Sequence, residues 1–235
     1  MIISGKNSVR EALASAKTIN KVMINSALHD DFCKEVVEEC KSRHIRFDFV
    51  PKETLNRISE HNQGYVADVI DFDYSSLEDI TMGERGNRFV LILDGVQDVH
   101  NFGSIIRVCE CAGIDGVIIS SRRSVSVNET VYKTSGGAIS HVKVCRVVNV
   151  NDCIRRLKDD GFFVYGAEAG GEYLYNVNLT GDLCIVMGSE GEGISNLTKK
   201  LCDEIISLPM FGKINSLNVS TATSAIVYEA LRQRK

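Results

Sequence analysis

The sequence has no tryptophan and only 2 prolines among 235 residues, and aromatic residues make up 7% of it. Its 8 cysteines form no C-x-x-C pair, and no His/Cys spacing matches a zinc site, so a zinc-binding module is excluded on pattern. No internal repeat or low-complexity tract stands out. Long apolar runs are also missing. Phe89-Val90-Leu91-Ile92-Leu93 and Leu183-Cys184-Ile185-Val186-Met187 have the length of strands, far below the ~20 residues of a spanning helix. The opening Met1-Ile2-Ile3-Ser4-Gly5-Lys6-Asn7 builds no signal-peptide core. The expectation is a cytoplasmic protein with reduced, mostly buried thiols, no membrane association and no metal. Charge of one sign is absent as well: 27 Lys+Arg stand against 31 Asp+Glu, a net −4. That balance excludes a uniformly basic coat but not a local basic face for nucleic acid. With 44% hydrophobic residues and low net charge, the chain is not disordered.

What is present reads as two regions. Residues 1–75 alternate short helical and strand-like segments. Phe32, Cys33, Val36, Val37 and Cys40 follow helical spacing within Asp31–Arg43. Ile45–Val50 and Tyr65–Ile70 read as strands, and Pro51 is placed to open a short helix. Residues 76–87 are polar, lack sustained periodicity and read as a linker. Residues 88–235 alternate strands (Phe89–Leu93, Gly116–Ser120, Val142–Val147, Phe162–Tyr165, Leu183–Met187, Ile205–Leu208) with helices. That order predicts an α/β domain with a parallel sheet covered on both faces.

Ligands of such sheets bind beyond the carboxyl ends of the strands. Three polar segments stand there. After Phe89–Leu93 comes Asp94-Gly95-Val96-Gln97-Asp98-Val99-His100-Asn101-Phe102-Gly103, with Arg107 further along the helix. Asn101 is a candidate cap for that helix. After Leu183–Met187 comes Gly188-Ser189-Glu190-Gly191-Glu192-Gly193. It is no dinucleotide fingerprint, and its carboxylates would repel a pyrophosphate, so a neutral or cationic ligand fits better. After Ile205–Leu208 comes Pro209-Met210-Phe211-Gly212-Lys213-Ile214-Asn215-Ser216-Leu217-Asn218-Val219-Ser220, where Ser216 or Asn218 can cap a helix. Each segment alone could be a capped helix or a tight turn.

Together the three segments resemble the SpoU/TrmH family of RNA 2′-O-ribose methyltransferases of the SPOUT superfamily. Asp94, Asp98, Asn101, Gly103 and Arg107 match its first motif, with Val99 in place of the usual proline. Gly188, Glu190, Gly191 and Gly193 match its second, and Leu208-Pro209-Met210 with Ser216 to Ser220 match its third. Gly5-Lys6-Asn7-Ser8-Val9-Arg10 and His61-Asn62-Gln63-Gly64 resemble the ribosomal-protein-like substrate-binding domain that many members carry, with Asn62 interrupting the usual His-Gln-Gly. That pairing is similar to the bacterial enzymes that methylate a guanosine ribose in large-subunit ribosomal RNA.

The resemblance implies a small RNA substrate-binding α/β domain over 1–75, a linker over 76–87, and a methyltransferase domain over 88–235 whose sheet carries a trefoil knot. It implies S-adenosylmethionine as cofactor, held by Gly188, Leu208, Met210 and Leu217. It implies catalysis through Asn101, Arg107, Glu190, Ser216 and Asn218, a homodimer, and an RNA partner that is ribosomal or, alternatively, transfer RNA. Family analogy puts Arg107 at the target ribose, but a guanidinium is no base at neutral pH. Its expected role is to bind the adjacent phosphate and stabilise developing negative charge. Arg122-Arg123, Arg155-Arg156, Lys199-Lys200 and the C-terminal cations are candidate RNA contacts. Two other classes stay open: a non-catalytic RNA-binding dimer, and a dinucleotide oxidoreductase that the sheet pattern permits but the missing early glycine fingerprint disfavours.

Overall fold

In the computed structural model, residues 2–14, 18–70, 72–121 and 124–235 are described. The chain divides into two compact units, 1–73 with 126–129, and 74–125 with 130–235.

The first unit contains β1 (Ile2–Ser4), α1 (Lys6–Ala14), β2 (Thr18–Asn25), α2 (Asp31–Ser42), β3 (Arg46–Val50), α3 (Lys52–Ile58) and β4 (Tyr65–Ile70). The sheet order is β1-β4-β2-β3. β4 runs antiparallel to β1 and β2, while β2 and β3 are parallel. The helical spacing of Phe32, Cys33, Val36 and Cys40 lays one face of α2 into a core with Val22, Ile24, Tyr65 and Ala67. Asp30 caps α2 by accepting from Cys33 N–H at 2.9 Å.

The second unit contains α4 (Leu77–Thr81), β5 (Phe89–Asp94), α5 (Val99–Ala112), β6 (Gly116–Ser120), α6 (Glu129–Thr134), β7 (Val144–Val147), α7 (Val150–Asp159), β8 (Phe163–Tyr173), β9 (Leu183–Gly188), α8 (Asn196–Leu201), β10 (Glu204–Ser207) and α9 (Val219–Arg234). Its six strands follow the order β10-β8-β9-β5-β6-β7 and every pairing is parallel. Such a sheet is buried on both faces, which is why β5 and β9 read as unbroken apolar runs. Val90, Ile92, Ile118 and Val186 pack with Leu77 and Ile80 of α4 and with Ile154 and Leu157 of α7. Alternation turns Leu91 and Leu93 to the opposite face, where α5 packs against α9.

One expectation is corrected here and another is filled in. The stretch read as a linker contains α4, closed by a Ser76/Asp79 capping box and anchored by buried Leu77 and Ile80. Its polar residues face outward on a helix too short to show a period. The strand expected to end at Tyr165 runs on to Tyr173. Its register against β10 jumps from Ile205↔Gly166 to Ile206↔Glu172, so the residues between bulge out of the ladder.

All eight cysteines are free. Cys111 is exposed, Cys202 half-buried and the other six buried. Burial pushes the Cys153 thiol up to about 12 and that of Cys40 to about 11. Among the described residues no helix is long and apolar enough to cross a membrane. Among them, too, no group of three or more His, Cys, Asp or Glu is arranged to hold a metal ion.

Candidate functional site

The carboxyl ends of β5 and β9 lie side by side, with Asp94 paired to Gly188. The segments that follow them, and the one that follows β10, meet there. Asp98, not Asn101, caps α5: its carboxylate accepts from His100 N–H and Asn101 N–H, both at 2.8 Å. That corrects the expected cap and leaves the Asn101 amide for other partners. Asn101 Nδ2 donates to Glu190 Oε1 at 2.8 Å. Asn218 Nδ2 donates to the same Glu190 oxygen at 2.6 Å and to Asn101 Oδ1 at 3.0 Å. Asn218 also caps α9, its Oδ1 accepting from Ser220 N–H at 2.9 Å and from Ser220 Oγ at 2.6 Å. A backbone N–H can only donate, so that cap fixes which end of the Asn218 amide faces Glu190. The three segments thus close a triangle of side chains whose amide orientations are mutually consistent.

The loop bearing Glu190 is a tight hairpin, with Ser189 and Gly193 exchanging backbone hydrogen bonds at 3.0 and 3.2 Å. Gly188 is required by its surroundings, because a Cβ there would stand 2.2 Å from the Gly193 carbonyl carbon. Beside the triangle opens a cleft of about 920 Å³. Its walls are Ala167–Gly171 of the β8 bulge, Met187–Gly193, Ile206–Leu208, Met210, Gly212–Leu217 and the apolar Val219, Ala222 and Ile226 of α9. Its lining includes Glu168, Glu190 and Glu192 against one lysine, Lys213. Backbone, apolar groups and carboxylates suit a neutral or cationic ligand better than a pyrophosphate.

Of the nine residues marked out by the sequence, Gly188, Leu208, Met210 and Leu217 line the cleft together with Ser216 and Glu190. Asn101, Glu190 and Asn218 form the triangle. Arg107 stands apart from it, exposed on α5 six residues beyond Asn101, which is ~9 Å along the helix axis and a different face. Among the described residues it has no carboxylate partner. Its guanidinium lies near the backbone of Gly136.

The candidate RNA-contact cations fare differently. Arg155 pairs with Asp152 at 2.6 Å, Arg156 with Glu78 at 2.5 Å, and Lys199 with Glu168 at 3.2 Å. Arg232 pairs with Glu229 at 2.7 Å. Arg234 donates to backbone carbonyls, Leu179 O among them. Arg122 and Arg123 lie outside the described residues. Sequence reasoning missed Glu168 and the capping role of Asp98. The Asp98 signal was present in its place three residues before Asn101, where an N-cap carboxylate reaches the N3 amide.

The family described as "SpoU rRNA Methylase family" matches residues 88–228. The chain belongs to this SpoU (TrmH) family of RNA methyltransferases. A second family, "RNA 2′-O ribose methyltransferase substrate binding", matches residues 2–75. Among SpoU relatives, a TrmH family tRNA/rRNA methyltransferase of Staphylococcus saprophyticus is 40% identical over 239 residues, covering 100% of this chain and 96% of its own. A TrmH family RNA methyltransferase of Porphyromonas gingivalis superposes with a TM-score of 0.59 at 26% identity, covering 99% and 88% of the two chains. The SpoU methyltransferase AviRb of Streptomyces viridochromogenes, solved with the cofactor AdoMet, superposes with a TM-score of 0.63 at 22% identity, covering 99% and 90%. These likenesses agree with the α/β fold and its parallel sheet.

Proposed function

We propose that this SpoU family chain transfers a methyl group from S-adenosylmethionine to a ribose 2′-hydroxyl of structured RNA, with a guanosine of large-subunit ribosomal RNA as its target. The observation that carries the proposal is the closed triangle of Asn101, Glu190 and Asn218 beside a cleft walled by backbone and apolar side chains.

The cleft fits the cofactor on three counts. Its volume falls in the range of small-molecule sites. The absence of a side chain at Gly188 leaves the backbone itself as wall. The acidic residues along it oppose the pyrophosphate of a dinucleotide, which weighs against the oxidoreductase reading. Gly188, Leu208, Met210 and Leu217 would hold the cofactor, which supplies an electrophilic methyl carbon when bound. The chain's own residues do the rest. The triangle fixes Asn101 and Glu190 in one geometry, so a ribose hydroxyl meeting them is oriented before reaction, the effect that accounts for much of the barrier in such transfers. The second N–H of Asn101 and Glu190 Oε2 stay open for that contact, having no partner among the described residues. Ser216, on the cleft wall, holds the loop near the reacting hydroxyl. Arg107 binds the neighbouring phosphate and stabilises charge developing on the hydroxyl oxygen.

On this reading residues 1–75 supply RNA recognition, the C-terminal segment is threaded through the family's trefoil knot, and the active form is a cytoplasmic homodimer. The test supplies methyl-labelled S-adenosylmethionine with large-subunit ribosomal RNA and transfer RNA in separate reactions, then digests the product with alkali. Label in alkali-resistant dinucleotides from ribosomal RNA is expected. Label only from transfer RNA replaces the target, and label on bases rejects ribose transfer.

A further inference from the structure

Glu168 stands in the β8 bulge, outside all three motifs. The bulge is a built feature. At its far end Ser207 Oγ donates to Gly171 O at 2.8 Å, and Gly171 lies so close to β10 that a Cβ would stand 2.3 Å from Ile205 O. From this platform Glu168 reaches across the cleft wall to the glycine hairpin. Its Oε2 accepts from Ile194 N–H at 3.0 Å, and its Oε1 pairs with Lys199 of α8 at 3.2 Å. Gly193 approaches so closely that a Cβ there would be 2.6 Å from Glu168 Oε2. Gly193 also adopts φ +66, a left-handed conformation that glycine takes without penalty. The hairpin is therefore held from outside at Ile194 and closed from inside by the Ser189–Gly193 bonds, with Glu190 between.

We propose that Glu168 is a positioning residue that clamps the glycine hairpin and thereby sets Glu190 in the triangle with Asn101 and Asn218. The inference rests on the methyl transfer proposed above and deepens it: the bulged strand, which only forms the cleft wall in that reading, governs the reacting end of the site. The carboxylate–lysine pair is partly exposed and contributes little by itself. The bond to the Ile194 amide does the holding, since a backbone donor fixes the chain rather than a mobile side chain.

Three variants separate the contributions: Glu168→Ala removes both contacts, Glu168→Gln keeps an acceptor for Ile194, and Lys199→Met removes only the ion pair. With wild-type S-adenosylmethionine affinity monitored by calorimetry, Glu168→Ala is expected to lower kcat at least about tenfold, because a slight misplacement of reacting groups is costly. Glu168→Gln should stay within about threefold of wild type, and Lys199→Met should leave hydrogen exchange at the Ile194 amide as in wild type. In a Glu190→Ala background the same Glu168→Ala change should have almost no further effect on kcat, the non-additivity expected when one residue acts through another. A purely structural role would instead give the same fold-loss in both backgrounds, and that result would overturn the proposal, as would an unchanged kcat in Glu168→Ala.

Hydrogen exchange at the Ile194 amide gives a readout independent of turnover. It should accelerate in Glu168→Ala and hold in Glu168→Gln. Equal protection in all forms refutes the clamp. If the wild type transfers no methyl group to any RNA, the proposed function fails on that result alone, while exchange at Ile194 still decides whether Glu168 holds the hairpin.

Discussion

The mixed sheet of the first unit and the all-parallel sheet of the second place their polar chemistry in different ways. In residues 1–73 the densest polar cluster serves a helix cap. Asp30 accepts from Lys6 Nζ at 2.5 Å, from Cys33 N–H at 2.9 Å and from Tyr65 Oη at 3.0 Å, while Lys6 sits over the Phe32 and Tyr65 rings. Lys6, first among these partners, holds the Asp30 carboxyl at about 2. In the second unit all strands point the same way, so their carboxyl ends gather in one place. Three segments distant in sequence then share one hydrogen-bonded triangle. Strand direction accounts for the gathering of the strand-end segments in the second unit.

The comparison breaks most visibly if the units are separated. Removing residues 1–73 should leave a folded second unit that binds S-adenosylmethionine, while methylation of the natural RNA falls below about 1% of wild type, since recognition of structured RNA relies on shaped contacts. The cut falls after 73 rather than 75 because Ser75 N–H donates to Val144 O at 2.8 Å and Ser75 bridges to Cys145, inside the second unit. Methylation of the same nucleotide at a similar rate by the shortened protein would place recognition in the second unit instead.

Within that unit, Arg107→Ala should cost about 10²-fold or more in turnover, the scale of losing one charge-stabilising contact. Cofactor affinity should be untouched, because Arg107 lies outside the cleft wall. Steady-state kinetics beside calorimetry separate the two, and a matched fall in affinity would contradict the assignment. Leu217→Arg should weaken S-adenosylmethionine binding about tenfold, roughly 1.4 kcal/mol. It replaces an apolar contact with a long cation that repels the sulfonium. Unchanged affinity in a folded variant would remove Leu217 from the pocket.

The last effect concerns stability and leaves turnover at neutral pH aside. Arg88, 2% exposed, donates to Asp182 at 2.8 Å and to Asp160 at 2.5 Å. The Arg88 side chain, and then the Arg88 and Gly86 N–H groups, hold the Asp182 carboxyl at about 2, below the ordinary range near 4. A depressed carboxyl pKa stabilises the fold above pH ~4, and that contribution, about 2 kcal/mol, disappears as pH falls toward 2. Thermal melts of wild type and Asp182→Asn should therefore differ at pH 6, and the gap should shrink to less than half by pH 2.5. A gap that stays constant with pH would mean that Asp182 acts through packing and not through charge.

The parts legible in the sequence were local. Tyr65–Ile70 and Gly116–Ser120 are strands as read, since alternation or continuous burial fixes such segments without help from elsewhere. The residues of the triangle were legible because they stand in the polar segments that follow three strands and match the motifs of the family resemblance. What escaped depends on contacts distant in sequence. The extension of β8 to Tyr173 passes through Gly170 and Gly171, whose value lies in letting β10 approach, and no period reveals that. Helix α4 was hidden because five residues are too few for a repeat, although its capping box was written in Ser76 and Asp79. Asp98 takes the cap of α5, and the Asn101 side chain instead donates to Glu190, 89 residues further on.

The central claim is that the Asn101–Glu190–Asn218 triangle sets the rate of ribose methylation while the neighbouring cleft sets cofactor affinity. Single-turnover transfer by wild type and by Glu190→Ala, with S-adenosylmethionine affinity measured on the same preparations, tests it most directly. The account predicts a rate reduced about 10²-fold, the scale of losing one preorganised contact, with affinity within about threefold of wild type. An unchanged rate, or a rate loss matched by a collapse of affinity, would contradict it.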